Sequence, residues 1–150
     1  MFFVDRMLGR LAKKLRLLGF DTMYLAQANE EQILQLCKQS NRTLITRDRA
    51  LHMRALKNGL GSHLIRSDNW KEQLVELSSR FDLSNTERLK RCSLCNAQLI
   101  PISIDEIRHR VPLYVQNTQS EFFVCPVCDR IYWAGSHVQH AVEEFRRLGI

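Results

Sequence analysis

Three short apolar runs each end in an aspartate: Phe2-Phe3-Val4-Asp5, Leu44-Ile45-Thr46-Arg47-Asp48 and Leu64-Ile65-Arg66-Ser67-Asp68. In an open α/β sheet, residues at the carboxyl ends of parallel strands converge on the crevice where ligands bind. Three carboxylates gathered there repel one another, at roughly 3 kcal/mol per pair for a 5 Å separation and an effective dielectric near 20. A divalent cation relieves that repulsion. Oxygen-ligated Mg²⁺ or Mn²⁺ facing a phosphate is the basis of metal-assisted phosphodiester cleavage. The competing role for such acids is capping the helices that follow, since Asp is a favoured N-cap. Three acids at three strand ends favour the shared site. A fourth acid is expected from Glu30 or Glu31 at the start of a helix, with Glu30 preferred. The helix dipole alone also favours acids there.

A second constellation lies downstream, in Cys92-Ser93-Leu94-Cys95 and Cys125-Pro126-Val127-Cys128. Two C-x-x-C hooks can present four thiolates to one tetrahedral zinc. Two disulfides would require an oxidising compartment, and a thioredoxin-like role needs only one hook. A closed four-sulfur site is structural, and in some sixty residues zinc supplies much of the folding energy. Cys37 falls in the apolar register of a helix and reads as a buried thiol. Tyr132 and Trp133 either stack on bases or pack a small core, with the core favoured for Trp133. His137 either contacts RNA or caps a helix, and His109 and Arg110 are weaker candidates of the same kind.

The elements that must position these groups follow from periodicity. Leu8, Leu11, Ala12, Leu15 and Leu18 recur at three- and four-residue intervals and form one buried helix face, stopped by Gly19. Thr22–Leu25 reads as a short strand. Asn29 caps a helix to about Ser40, and a strand follows over 42–46. A helix from about Arg49 to Lys57, a strand over 62–66 and a helix over 69–79 complete the alternation. Strands alternating with helices predict a mainly parallel sheet covered on both faces, joined by right-handed crossovers. The polar stretch before the first hook reads as a linker. The expected organisation is a nuclease-like unit over 1–82, a linker over 83–90 and a zinc-binding unit over 91–150, with a helix closing the second unit through Arg147.

The net charge of +6 is uneven: residues 1–90 hold 16 Lys/Arg against 10 Asp/Glu, whereas residues 91–150 hold 6 of each. Basic surface around an acidic pocket suits a polyanion read through its phosphates. Arg6, Arg10, Lys13 and Lys14 form a candidate rail along the first helix, and Arg47, Arg49 and Arg66 flank the acids. A solvated basic face is the plainer alternative. The longest apolar runs are too short to cross a bilayer, and an acid at position 5 interrupts any leader-like start. The expected location is the cytoplasm, with no membrane association.

Val4-Asp5-Arg6-Met7-Leu8-Gly9-Arg10-Leu11-Ala12, Leu17-Leu18-Gly19-Phe20-Asp21-Thr22, Thr46-Arg47-Asp48-Arg49 and Arg66-Ser67-Asp68 together resemble the Mut-seven C-terminal RNase family. The two hooks Cys92-x-x-Cys95 and Cys125-Pro126-x-Cys128, Arg110-Val111-Pro112 and Tyr132-Trp133-x-Gly135-Ser136-His137 extend the likeness over essentially the whole chain. The resemblance implies a PIN-like three-layer α/β/α sandwich with a small C-terminal zinc ribbon, and metal-dependent hydrolysis of RNA. It places Asp5, Asp48 and Asp68 in the acidic site with Glu30 as fourth acid, and gives the ribbon a part in RNA binding. Arg6 stands where a small residue is expected, and Glu30 where an aspartate is. A non-catalytic RNA-binding adaptor of the same fold, or a toxin-type PIN nuclease, are the alternatives.

Overall fold

The computed structural model describes residues 1–83 and 90–150, without the side chains of Ser136 and His137. Strands β1 (Phe2–Val4), β2 (Thr22–Met23), β3 (Thr43–Thr46) and β4 (Ser62–Leu64) form one parallel sheet in the order β2-β1-β3-β4. Phe2 aligns with both Thr22 and Thr43, and Leu44 with Ser62.

Alternation along these strands divides the core into two layers, because successive side chains point to opposite faces. Phe2, Val4 and Ile45 meet helices α1 (Gly9–Leu17) and α4 (Trp70–Ser78) on one face. Phe3 and Leu44 meet α2 (Glu30–Ser40) and α3 (Arg49–Lys57) on the other. The result is an α/β/α sandwich. The crossover that steps from β1 to β2 and those that step the other way place their helices on opposite faces, as a fixed crossover hand requires.

The helix expected after Asp5 opens with a 3₁₀ turn over Arg6–Leu8 before α1 begins. Strand β2 is shorter than expected because Tyr24 leaves the sheet, and its hydroxyl donates to the Arg6 carbonyl at 3.0 Å. Gly9 makes room for that phenol, since a Cβ there would lie 2.8 Å from its oxygen.

The downstream half forms a second, antiparallel sheet in the order β5 (Ile100–Pro101), β6 (Phe122–Val124), β7 (Ile131–Trp133). Between β5 and β6 lie α5 (Ile104–Ile107), a 3₁₀ turn (Arg108–Arg110) and α6 (Leu113–Thr118). Trp133 packs there, its ring 6.5 Å from that of Phe122, in the cluster around Ile107 and Val115. Helix α7 (Ser136–Arg147) does not stay with this small sheet. Its Ala141 and Phe145 are buried in the same cluster as Leu11, Leu15 and Leu74, so residues late in the chain complete the core of the first sandwich. Of the expected linker, residues 84–89 lie outside the described residues, while Leu83 is buried in the first core. No helix among the described residues is long and apolar enough to cross a membrane.

Candidate active site and metal centre

The strand order reverses between β1 and β3, because the chain leaves β1 toward β2 on one side and β3 toward β4 on the other. That switch point is where open α/β sheets bind ligands, at the carboxyl ends of the strands. Asp5 directly follows β1, and Asp48 follows β3 by two residues.

One side chain joins them. The Thr46 hydroxyl accepts from the Asp48 backbone N–H at 2.9 Å and donates to Asp5 Oδ2 at 2.6 Å. Because the hydroxyl has only one proton, accepting from Asp48 directs that proton to the Asp5 carboxylate. Asp5 Oδ1 accepts the Arg6 N–H at 2.7 Å. Asp5 is only 2% exposed, and among the described residues no cation pairs with it. Asp48 Oδ1 caps α3, accepting from Ala50 and Leu51 at 2.8 and 3.0 Å. Capping and site formation therefore coexist. Each of these acids spends one oxygen on the turn that follows it, and Asp48 Oδ2 makes no hydrogen bond among the described residues.

Asp68 is exposed and does not cap α4, a role taken by Asn69. It belongs to the same edge, since the Ile65 N–H continues the ladder to the Thr46 carbonyl at 2.8 Å. The structure brings the roots of the three aspartates to one edge of the sheet without packing their oxygens together. Among the described residues, only the cysteine quartet has ligand atoms all within 4.8 Å of one another.

Glu30 and Glu31 are both paired with one cation. Arg54 of α3 grips both, with Nη1 2.5 Å from Glu30 Oε2 and Nη2 3.0 Å from Glu31 Oε2. The helix-two acids thus form a bridge between α2 and α3, and their first-turn position also follows from the helix dipole. Of the expected cations, Arg6, Arg10, Lys13, Arg47, Arg49 and Arg66 are exposed, and none has an ion pair among the described residues. Lys14 departs from that set. It lies 4.1 Å over the Trp70 ring and 3.7 Å from Glu144 of α7, and burial pulls its pKa down against the opposing pull of Glu144. It clamps α7 onto α1 with 26% of its side chain still exposed. His137 lies outside the described side chains.

The two cysteine hooks are near copies of one another. Asn96 N–H donates to the Cys92 carbonyl at 3.0 Å and Asp129 N–H to that of Cys125 at 2.9 Å. Both residues are left-handed, with φ of 69° and 57°, which suits the Asn and Asp that stand there. The Cys95 and Cys128 N–H groups approach the Sγ atoms of Cys92 and Cys125 at 3.5 and 3.4 Å. Across the hooks, sulfurs lie 3.5 Å apart (Cys92–Cys128) and 3.3 Å apart (Cys95–Cys125). A disulfide requires about 2.0 Å, whereas a tetrahedron of Zn–S bonds near 2.3 Å has edges of about 3.8 Å. The quartet could hold one zinc ion and is compatible with a zinc ribbon. The Tyr132 hydroxyl lies 3.0 Å from Cys92 Sγ. Cys37 is fully buried in the other core, where burial pushes its thiol up to about 11.

Three residues that the sequence reading passed over matter here. Thr46 shares its strand face with Leu44, and a hydroxyl on a buried face needs partners; that was the available signal. Arg54 gave none, as its reach to Glu30 is a tertiary accident of the α2–α3 packing. Arg16 interrupts the polar side of α1 yet is 3% exposed. Its guanidinium donates to the Thr22 carbonyl at 2.8 Å and to the Leu94 and Ser93 carbonyls at 2.6 and 3.3 Å, tying the first hook to the sandwich. Asn96 reinforces the tie through the Thr22 N–H and Asp21.

The family model described as Mut7-C RNAse domain matches residues 1–145. No curated protein and no solved structure matches the chain.

Proposed function

The chain belongs to the Mut7-C RNAse domain family, and from that premise we propose that it is a ribonuclease, hydrolysing internal RNA phosphodiester bonds with Mg²⁺ or Mn²⁺ at the carboxyl edge of its parallel sheet. The observation that carries the reading is Asp5, a carboxylate 2% exposed at the switch point, bonded to Thr46 and to a backbone N–H but to no cation among the described residues. A buried charge without a counter-ion is expensive, and a divalent cation is the partner that its position invites.

Asp5 and Asp48 fit such an ion. Asp48 keeps one oxygen free, and each bonded oxygen of Asp5 retains a lone pair. Asp68, exposed on the same edge, would join them in holding the ion, directly or through water. Bound there, the ion supplies Lewis acidity toward the scissile phosphate and the attacking water. The chain's own groups do the rest. Thr46 fixes the two carboxylates in one orientation, and one of the acids orients the water. Arg47, Arg49, Arg66 and the first-helix cations Arg6, Arg10, Lys13 and Lys14 hold the RNA backbone. Glu30, gripped by Arg54, is the fourth acid that completes the shell. The cysteine quartet, as a structural zinc centre, keeps the ribbon folded so that it adds RNA contacts. The nuclease unit and the ribbon follow the division at residues 83–90, with α7 lent back to the sandwich. The setting is the cytoplasm.

Asp48→Asn tests the reading. Asn is as good an N-cap as Asp, so the variant keeps α3 and the fold. Purified Asp48→Asn protein is expected to lose RNA cleavage at least 100-fold while retaining its zinc and its unfolding midpoint. Undiminished cleavage by that variant would refute the site.

A further inference from the structure

Helices α1 and α4 leave a cleft of about 340 Å³ between their first turns, lined by Met7, Leu8, Arg10, Leu11, Asp68, Trp70, Lys71 and Gln73 among others. Its floor is apolar, since Leu8 and Leu11 are buried, and the Trp70 indole and the exposed Met7 thioether supply broad soft walls. Lys71 at one side is engaged by Glu144 at 2.6 Å, and Arg10 at the mouth has no ion pair among the described residues.

Gln73 is the telling residue. It is 3% exposed, and its Nε2 donates to the Ser67 carbonyl at 3.0 Å, which fixes the amide orientation. No donor among the described residues reaches its Oε1. The buried polar atoms left without a partner among those residues are Arg42 Nε and His63 Nε2 alone. The Gln73 oxygen therefore opens into the cleft that it lines. A buried acceptor above an apolar floor, within a cleft lined by polar as well as apolar groups, matches a flat heteroaromatic ring with an N–H on its edge. Asp68, at the same cleft, adds a second acceptor beside the edge assigned to catalysis.

We propose that the α1–α4 cleft is a nucleobase pocket in which Gln73 Oε1 accepts an exocyclic amino N–H, so that a base bearing that group is seated next to the acidic edge. Resting on the ribonuclease reading, it gives the enzyme a preference for amino-bearing bases (adenine, cytosine or guanine) over uracil beside the bond it cuts. A site built around an acceptor discriminates against a ligand lacking the donor, because the acceptor is then left unpaired.

The test uses the zinc-loaded full chain and two neutral nucleosides, adenosine and purine riboside, which differ by the amino group. Titrations are followed by the NMR signal of the Trp70 indole N–H in buffer without Mg²⁺. The expected result is saturable binding about 10-fold tighter for adenosine, with the difference abolished in Gln73→Met. Equal affinities, or shifts confined to residues away from the cleft, would overturn the pocket. The wild-type pair decides the matter even where Gln73→Met fails to fold. RNA cleavage is assayed separately. Cleavage without nucleoside discrimination overturns the pocket and leaves the nuclease reading standing. Discrimination by a chain that cleaves no RNA upholds the pocket's selectivity and overturns the nuclease reading.

Discussion

Replacing Thr46 by Val keeps the side chain's shape and removes the one hydroxyl that joins Asp5 to Asp48. Thr46 is fully buried, so water cannot take over its two hydrogen bonds. The bond to Asp5, at 2.6 Å to a carboxylate, is of the charge-assisted kind worth about 1.5–3 kcal/mol. The bond from the Asp48 N–H adds about 1 kcal/mol. The sum, roughly 2.5–4 kcal/mol, is a large part of the ~5–15 kcal/mol that holds a domain folded. With a urea m-value of about 2 kcal/mol/M, the unfolding midpoint should fall by about 1–2 M. Thr46→Ser, which restores the hydroxyl, should recover most of it. In a double-mutant cycle with Asp5→Asn the two costs should fall short of additivity by about 1 kcal/mol or more. RNA cleavage should drop in Thr46→Val and return in Thr46→Ser, as expected of a positioning residue. A midpoint shift below about 0.3 M (roughly 0.5 kcal/mol at that m-value), or strict additivity with Asp5→Asn, would refute the linkage.

Two further outcomes follow from basic residues packed into the fold. Arg16→Met keeps the aliphatic stem but strips the first hook of its guanidinium tie, and should cost about 3–5 kcal/mol. It should also speed zinc loss to a chelator, and unchanged zinc release together with unchanged stability would exclude the tie. His63 lies among Glu76, Arg80, His52 and the Phe81 ring, and burial lowers its pKa. Its folded form then resists a proton that the unfolded chain accepts, so its share of stability is present above pH ~6.5 and is lost as pH falls. Urea midpoints between pH 7.5 and 5.5 should decline less steeply in His63→Gln, and parallel slopes would disprove the assignment.

What the chain discloses before it is folded depends on how local the cause is. The Leu8-Leu11-Leu15 stripe, the Asn29 cap and the strand–helix alternation are written in neighbouring residues, and the parallel sandwich follows from them. The cysteine hooks are equally local, and each turn is fixed by residues 92–96 or 125–129. Glu30 shows the limit, because its partner Arg54 is set by how two helices pack and no spacing announces it. Lys14 belongs to the same class: its place in the basic series says nothing of Trp70 or Glu144. Thr46 and Gln73 lie between these extremes. Each is a polar residue at a position that periodicity assigns to the interior, which reveals that it must find a partner but not which one.

Helix α7 has a temporal meaning as well. Ala141 and Phe145 fill space in a core whose remaining buried members, from Phe2 to Leu83, are all made earlier on the ribosome. Until α7 has been made, α1 and α4 carry an uncovered greasy seam, and the cleft between them lacks the Glu144 anchor that steadies Lys14 and Lys71. A molecule lacking α7 would expose apolar surface beside the edge proposed to cut RNA, so completion of that edge waits on α7.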